Sequence, residues 1–114
     1  MKAKDIGNLG EDLAVKFLLE KGYELLERNF FKPFGEIDII AKDKDYVVFI
    51  EVKARKNVKF GFPREFVNKN KIKKIQDVAQ MYMLEKNLFG IKIRFDVIEI
   101  IFDEHKITHI ENAF

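Results

Sequence analysis

Four ionisable side chains interrupt two apolar segments that are otherwise typical of buried β-strands. They are Glu36, Asp38, Glu51 and Lys53, within the stretch GEIDIIAKDKDYVVFIEVKAR that runs from Gly35 to Arg55. Successive side chains of a strand alternate between its faces, so residues two apart share a face and lie roughly 6–7 Å from each other. Glu36 is therefore expected beside Asp38, and Glu51 beside Lys53. The pattern predicts two pairs of charged groups on one part of a sheet.

The charged turn Lys42-Asp43-Lys44-Asp45 between these segments favours a short antiparallel hairpin. In every register in which the numbers of facing residues sum to an odd value, the three carboxylates and the lysine share one face. Close carboxylates repel one another and lose solvation, so a fold that keeps them needs a compensating cation. Their oxygens suit Mg²⁺, which also accepts phosphate and water oxygens. The alternative is a buried ion pair in which Lys53 neutralises Glu51 or Asp38.

A basic segment follows these carboxylates directly. From Lys53 to Lys74 the chain has nine Lys or Arg residues and one acid, Glu65, although the net charge of the whole chain is only +2. A phosphate-backbone surface requires such a block, whereas a solvated, lysine-rich loop is the alternative. Next to the carboxylates, nucleic-acid binding is favoured. The expected contacts are Arg55, Lys56, Lys59, Lys69 and Lys73, and the role of Gln76 beside them is left open.

The composition is typical of a single globular domain spanning residues 1–114. With 47% hydrophobic residues, 12 Phe and no Trp, the chain is long enough to form a core. It has no Cys and two His, which excludes thiolate zinc sites and disfavours a histidine metal site. No apolar run is long enough for a transmembrane helix, and the first residues lack the apolar segment of a signal peptide. We therefore expect a cytoplasmic protein with no membrane partner.

Hydrophobic periodicity predicts the order helix, three strands, helix, and one or two strands. The expected helices are Ile6–Lys21 and Asn68–Lys86, separated by strands and a loop at Lys56–Phe66. The expected strands are Tyr23–Phe31, Glu36–Ala41, Tyr46–Ala54 and Ile91–Phe102, with a further short strand at His105–Ile110. This mixture predicts an α/β or α+β layer in which helices cover a mixed sheet.

Other charged residues have weaker patterns. In the first helix, Glu11 lies near Gly7 and Gly10, which allow another backbone or a ligand to approach, but composition alone does not distinguish it from Asp12 or from an ordinary exposed glutamate. Alternation in the last long strand predicts Ile91, Ile93, Phe95 and Val97 on one face and Lys92, Arg94 and Asp96 on the other. Arg94 and Asp96 are expected to pair with each other or with polar groups. His105 and His109 are expected at the surface.

Several motifs along the chain resemble a known family. They are GNLGEDLA (7–14), RNF (28–30), GEIDII (35–40), VFIEVKAR (48–55), RFDVI (94–98) and HIENAF (109–114). Together they resemble the YraN-type family of uncharacterised small proteins, within the PD-(D/E)xK nuclease superfamily and related to archaeal Holliday junction resolvases. Ile37 stands before Asp38 where the superfamily motif has Pro, and the YraN type shares that Ile.

The resemblance implies a restriction endonuclease-like fold, related also to tRNA-splicing endonuclease domains. Asp38 and Glu51 would be metal ligands, Lys53 the catalytic lysine, and Glu11 a helix carboxylate that holds the metal directly or through water. The backbone carbonyl of Val52 is a further candidate ligand, and Glu36 belongs to the GEID motif without a clear role.

The expected function is that of a Mg²⁺- or Mn²⁺-dependent endonuclease that acts on DNA, with structured or branched DNA favoured. A homodimer would supply the two active sites needed to cut a four-way junction symmetrically. One alternative is a nucleic-acid-binding module that keeps the fold without cleaving. Another is an interaction domain whose basic surface contacts an acidic protein.

Overall fold

The elements follow one another in the predicted order, and the final short strand is present. A computed structural model describes residues 2–59 and 68–114, so the predicted loop lies partly outside the described residues. The helices are α1 (Ala3–Glu20) and α2 (Lys69–Glu85). The strands are β1 (Glu24–Lys32), β2 (Gly35–Asp43), β3 (Tyr46–Arg55), β4 (Lys92–Ile101) and β5 (Lys106–Ile110), with a 3₁₀ turn at Phe102–Glu104.

The five strands form one mixed sheet in the order β1-β2-β3-β4-β5. β1, β2 and β3 pair antiparallel through short turns, whereas β4 pairs parallel with β3 and antiparallel with β5. Parallel neighbours need a long connection, and the segment that contains α2 supplies it. The prediction of a mixed sheet flanked by helices is confirmed.

The core lies on both faces of the central strand β3. Val48 and Ile50 pack in a cluster with Ala14 and Leu18 of α1. Their neighbours Val47 and Phe49 pack in a second cluster with residues of α2. This explains why the apolar run of β3 is continuous and does not alternate with polar residues.

Helix α1 lies unusually close to β3 because Gly10 has no side chain. A Cβ atom built at Gly10 would lie 2.6 Å from the Cβ of Ala54, far inside van der Waals contact. The predicted close approach of another element at this glycine is confirmed. The helix ends where Gly22, with a φ of +91°, reverses the chain, as the sequence predicts.

Strand β2 is irregular around Asp38. Ile37 packs in the α2 cluster but Ile39 packs in the α1 cluster, although residues two apart in a regular strand share a face. Opposite this point on β1, Asn29 has a φ of +50°. The pairing of β2 with β3 runs only as far as Ile39 and Ile50, so the next positions, Asp38 and Glu51, lie where the ladder ends.

The predicted alternation of β4 is present, because Arg94 pairs with Asp96 on one face while Phe95 packs in the α2 cluster on the other, but the charged face is buried. Ile93 is 42% exposed, whereas Arg94 and Asp96 are 7% and 0% exposed. The reason is that ion-pair partners from other elements neutralise these charges, which the alternation of β4 alone does not reveal. The predicted pairing of Arg94 with Asp96 is confirmed, because Arg94 Nε lies 3.0 Å from Asp96 Oδ1.

The prediction that His109 lies at the surface is wrong. Its side chain is buried, and its Nε2 lies 2.7 Å from Asp96 Oδ2. Arg94 Nη2 donates to the Tyr23 hydroxyl at 2.6 Å, and Arg94 Nη1 lies 3.1 Å from Asp43 Oδ2. We call this group the Asp96 cluster; its members are Tyr23, Asp43, Arg94, Asp96 and His109. His105, by contrast, is exposed as predicted.

Neither α1 nor α2 is long and apolar enough to cross a membrane, and the same holds for all helical residues within 2–59 and 68–114.

Candidate active site

Asp38 and Glu51 come together at the point where β2 and β3 separate. The Asp38 carboxylate takes the place of a backbone partner, because its Oδ2 accepts a hydrogen bond from the Val52 N–H at 2.8 Å. Glu51 follows the buried residues of β3 and is itself only 4% exposed. The observed ladder has an odd sum, as in the registers that the sequence analysis considered, and Asp38 and Glu51 are the next positions beyond its last pair, Ile39 with Ile50.

Two lysines share one oxygen of Glu51. Lys53 Nζ lies 3.4 Å from Glu51 Oε1, and Lys71 Nζ, from the first turns of α2, lies 2.9 Å from the same atom. The pairing of Lys53 with Glu51, which the sequence left as one alternative, is therefore present. Lys71 is a finding of the structure, since the sequence analysis counted it only among the basic residues between Lys53 and Lys74.

Glu11 reaches the same region from α1. Its Oε1 lies 3.6 Å from Arg28 Nη2, and Arg28 also binds Asp12 at 2.9 Å, so the two neighbouring acids of α1 share one guanidinium. Asn29 hydrogen-bonds to Glu11 as well. Arg28 and Asn29, which belong to the RNF segment of β1, therefore hold the Glu11 side chain in place. The structure distinguishes Glu11 from Asp12, since only 18% of the Glu11 side chain is exposed against 63% of Asp12.

The three carboxylates interact electrostatically. Burial, followed by the charge of Glu51 and then that of Glu11, raises the pKa of Asp38 to about 8, although the Val52 N–H opposes this shift. Burial also raises the pKa of Glu11 above its ordinary value, and the nearby Arg28 offsets only part of the effect. The site is therefore short of positive charge in spite of its lysines.

The two lysines respond differently to this surrounding. Burial, followed by the neighbouring ammonium of Lys71, lowers the pKa of Lys53. Burial opposes the charged form of Lys71 too, but hydrogen bonds to Glu51 and Lys53 raise its pKa overall. Lys71 is thus the cation that balances Glu51. We call Glu11, Asp38, Glu51, Lys53 and Lys71 the carboxylate site.

Two clefts open onto the carboxylate site. The main cleft has a volume of about 480 Å³, and the smaller cleft one of about 230 Å³. Asp38, Glu51 and Lys71 line both, so a ligand in either would touch the same three side chains. The main cleft also contains Glu36 and Lys74, and the smaller one contains Gly7, Glu11 and Lys53.

The residues predicted to contact nucleic acid are all at the surface. Arg55, Lys56, Lys59, Lys69 and Lys73 are exposed, as is Gln76. Arg55 lies at the end of β3 and lines the smaller cleft. Lys73 forms an ion pair with Asp77 at 2.9 Å, which balances part of its charge. Within the described part of α2, it is Lys71 and Lys74 that line the main cleft.

The donor set of the site suits a divalent cation that keeps some of its water. Within residues 2–59 and 68–114, no three His, Asp or Glu side chains converge closely enough to form a metal cage. Mg²⁺ does not need one, because it is usually bound by one or two carboxylates together with waters and phosphate oxygens. Asp38 and Glu51 meet that requirement, and the raised pKa of Asp38 indicates where a cation would be stabilised.

Comparison with known proteins gives the family. A family model described as "Uncharacterised protein family UPF0102" matches residues 10–100. The chain belongs to this family. UPF0102 contains the YraN-type proteins that the motifs resemble, so that resemblance is confirmed.

Relatives in UPF0102 match along the full chain. A UPF0102 protein of Clostridioides difficile strain 630 is 51% identical over 114 residues, which is the whole of both chains. One from Thermodesulfovibrio yellowstonii is 52% identical over 112 residues, 96% of each chain. One from Clostridium kluyveri is 53% identical over 115 aligned positions, covering 97% of this chain and 94% of the relative. These names establish the family and describe no activity.

Proposed function

We propose that this UPF0102 protein is a metal-dependent endonuclease that hydrolyses phosphodiester bonds in DNA, with structured or branched DNA as its substrate. One observation carries the proposal: Asp38 and Glu51 converge beside Lys53 where two strands separate, and the clefts at this point are lined by further cations. A restriction endonuclease-like arrangement places its metal ligands and lysine on two such strands, and the resemblance of the motifs supports that reading.

Each residue of the carboxylate site has a role in this reaction. Asp38, Glu51 and the Val52 carbonyl would hold Mg²⁺ or Mn²⁺, which lowers the pKa of a bound water and neutralises charge at the phosphate. Lys53 Nζ, beside Glu51 Oε1, is placed to donate a hydrogen bond to the attacking oxygen or to the phosphate. Glu11, whose carboxylate is held by Arg28 and Asn29, would bind the metal directly or through a water.

Lys71 explains how the site can exist before a metal binds. Its ammonium neutralises Glu51 at 2.9 Å, a position that a divalent cation would compete for. With a divalent cation at Glu51, Lys71 would be free to bind a phosphate oxygen in the main cleft that it lines. Its proposed role is therefore that of a counter-ion to Glu51 and a phosphate ligand.

The exposed cations around the site would hold the DNA backbone. Arg55 lines the smaller cleft, and Lys56 and Lys59 extend the basic surface along the chain. Lys69 and Lys73 continue it on α2. Contacts of this kind release counterions, so DNA binding is expected to weaken steeply as salt concentration rises. Symmetric cleavage of a four-way junction would need two copies of the chain.

Calorimetric titration of Mg²⁺ and Mn²⁺ in the presence of a short DNA duplex tests the metal site. Wild type and Glu104→Ala, which removes an exposed acid of the 3₁₀ turn, are expected to bind metal. Glu51→Ala is expected to show no binding. Equal binding by all three proteins would contradict the assignment of Glu51.

Cleavage tests the reaction itself. Labelled four-way junctions and linear duplexes of equal length are incubated with either metal, and products are separated on denaturing gels. Asp38→Ala is expected to leave both substrates intact, whereas the wild type is expected to cut the junction faster than the linear duplex. An Asp38→Ala variant that cleaved at the wild-type rate would overturn the proposal.

A second function is favoured by one observation. Lys71 already neutralises Glu51, and no three ligand-type side chains of the described residues surround a common point. A domain that binds nucleic acid without cutting it would have this arrangement. Salt-dependent DNA binding without cleavage in Mg²⁺ or Mn²⁺ would identify it.

A further inference from the structure

Two phenylalanine rings are exposed where β1 turns into β2. Phe31 is 67% exposed and Phe34 is 43% exposed, although Phe is among the residues most often buried. Together with Pro33 they line a groove of about 470 Å³, opposite Lys74 and Asp77 of α2. We call it the aromatic groove.

The aromatic groove continues into the main cleft. Gly35, Glu36 and Lys74 line both of them. Phe31 is the strand partner of Glu36, which in turn stands two residues before Asp38 on β2. A polymer such as a nucleic-acid strand, with one phosphate at Asp38 and Glu51, would therefore have its next nucleotide at the aromatic groove.

The groups of the aromatic groove suit a nucleobase. The rings offer flat apolar faces, and stacking of a base on an aromatic side chain contributes binding energy whichever of the four bases it is. Lys74 is a cation for the adjoining phosphate. Asp77 is balanced by Lys73 at 2.9 Å, and the Glu36 carboxylate can accept hydrogen bonds from amino groups of a base.

We propose that Phe31 and Phe34 stack on an unpaired base of DNA bound in the main cleft, so that the protein selects DNA with an unpaired nucleotide beside the phosphate at Asp38. The bases of an intact duplex are stacked on one another and do not expose a face to a ring. This inference rests on the proposed function, since it assumes that DNA occupies the cleft.

Other occupants of the groove are less compatible with its surroundings. A second copy of the chain would bury the two rings, but it would also bring charged residues of both grooves, Glu36 and Lys74, out of water. Extended DNA leaves the phosphates and these side chains partly solvated. Continuity with a cleft where Lys71 and Lys74 stand beside the proposed metal ligands Asp38 and Glu51 therefore favours the nucleic acid.

Binding is measured in EDTA, so that it does not depend on cleavage. The probes are a duplex with one unpaired 2-aminopurine and a fully paired duplex of the same sequence. Wild type is expected to prefer the unpaired probe by about tenfold and to change the 2-aminopurine fluorescence. The double variant Phe31→Ala/Phe34→Ala should reduce that preference to about twofold or less. Phe89→Ala, which removes a ring that is 71% exposed in the segment after α2, should keep it.

Two results would overturn the inference. One is a double variant whose preference for the unpaired probe equals that of the wild type, whether or not its affinity for both probes falls. The other is sedimentation in which the wild type is a dimer and the double variant is a monomer, because the rings would then contact a second copy of the chain. Thermal unfolding of each variant checks that the fold is intact.

Cleavage assays separate this inference from the proposed function. If the rings set the preference for unpaired bases but neither metal supports cleavage, the endonuclease fails and the stacking site remains. If cleavage occurs and depends on Asp38 but not on the rings, the stacking site fails alone. Absence of binding to both probes in EDTA overturns the stacking site, and the cleavage assay with Mg²⁺ or Mn²⁺ then decides the endonuclease by itself.

Discussion

Asp38 and Asp96 are carboxylates inserted into adjoining parts of one sheet, and they are satisfied in opposite ways. Asp96 is fully buried and accepts hydrogen bonds from Arg94, from His109 at 2.7 Å and from the Asn112 N–H at 3.1 Å. Asp38 accepts one from the Val52 N–H, and the charges of Glu51 and Glu11 affect it more strongly than the nearby ammonium of Lys71 does. The Asp96 carboxylate therefore has several hydrogen-bond donors around it, whereas the Asp38 carboxylate has few.

The pKa shifts express this difference. Burial alone would raise the pKa of Asp96, but hydrogen bonds from His109, Arg94 and Asn112 hold it below the ordinary value. At Asp38 burial and neighbouring acids win, and the pKa rises to about 8. A cluster whose hydrogen bonds are complete stabilises a fold, whereas one that lacks positive charge is suited to binding a cation.

Removing the Asp96 carboxylate should have the largest effect on stability. In Asp96→Ala, Arg94 and His109 lose their buried partner, and breaking a buried ion pair from one side costs about 3–5 kcal/mol. The free energy of unfolding, measured by urea denaturation, is expected to fall by that amount. Asp103→Ala, at an exposed position of the 3₁₀ turn, should change it by no more than about 0.5 kcal/mol. Equal stability of the two variants would remove the distinction between the clusters.

Adding a side chain at Gly10 should have the next largest effect on stability, and it should act on the carboxylate site. Gly10→Ala places a methyl group against Ala54, so α1 must move away from β3. Overpacking of this kind costs about 1–3 kcal/mol. The shift would also displace Glu11, so cleavage should decline more than it does in Gly7→Ala, where an added Cβ meets no atom within 4 Å. Normal activity in Gly10→Ala would show that the site tolerates a moved helix.

The pH dependence should have opposite signs in the two regions. Because the folded-state pKa of Asp38 lies at about 8, above its ordinary 3.8, the folded protein binds the additional proton between these values. Its contribution to stability is therefore complete below about pH 4 and is lost as pH rises towards 8. The contribution of Asp96, whose pKa is lowered, is present above about pH 4 and is lost on acidification.

Urea unfolding of Asp38→Asn across pH 4–8 tests this sign. The variant has no carboxylate to ionise at that position, so its stability should fall less than that of the wild type as pH rises. Added Mg²⁺ should flatten the wild-type curve in the same way if the ion is bound at the site. A variant that followed the wild-type curve would show that Asp38 is not the group that titrates.

The smallest effect is expected at Lys73, which is 73% exposed and paired with Asp77. Exposed i,i+4 pairs contribute about 0.3–0.5 kcal/mol, so Lys73→Ala should leave the unfolding free energy nearly unchanged. Lys71→Ala removes the counter-ion of the buried Glu51 and should be more destabilising. If both lysines proved equivalent, Lys71 would be an ordinary surface residue.

The hairpin of the carboxylate site was predictable because it is local. β2 and β3 are joined by a short turn, so the hairpin register brings Asp38 and Glu51 to facing positions just beyond the last pair of the ladder. The break in the alternation of β2 at Asp38 was not predictable from the pattern. Gly10 was also predictable, because a glycine within a helix indicates close approach. Within this region Lys71 was missed, since periodicity places it on the outside of α2 without specifying which strand end the helix covers.

The Asp96 cluster could not be predicted because its members are distant in the sequence. Arg94 and Tyr23 are 71 residues apart, and Arg94 and Asp43 are 51 apart. An alternating strand with charges on one face is typical of a solvated surface, and only the assembled sheet reveals that these charges satisfy one another. The burial of His109 follows from the same contacts.

Residues 112 and 113 and the first turns of α1 take part in the contacts described above, which limits where a probe can be attached. The Asn112 and Ala113 N–H groups donate to Asp96 and to the Phe95 carbonyl, and Gly7, near the start of α1, lines the smaller cleft. Because the sequence contains no cysteine, Phe89→Cys would create a unique thiol at an exposed position between α2 and β4. A fluorophore or spin label there would report on DNA binding without disturbing either terminus.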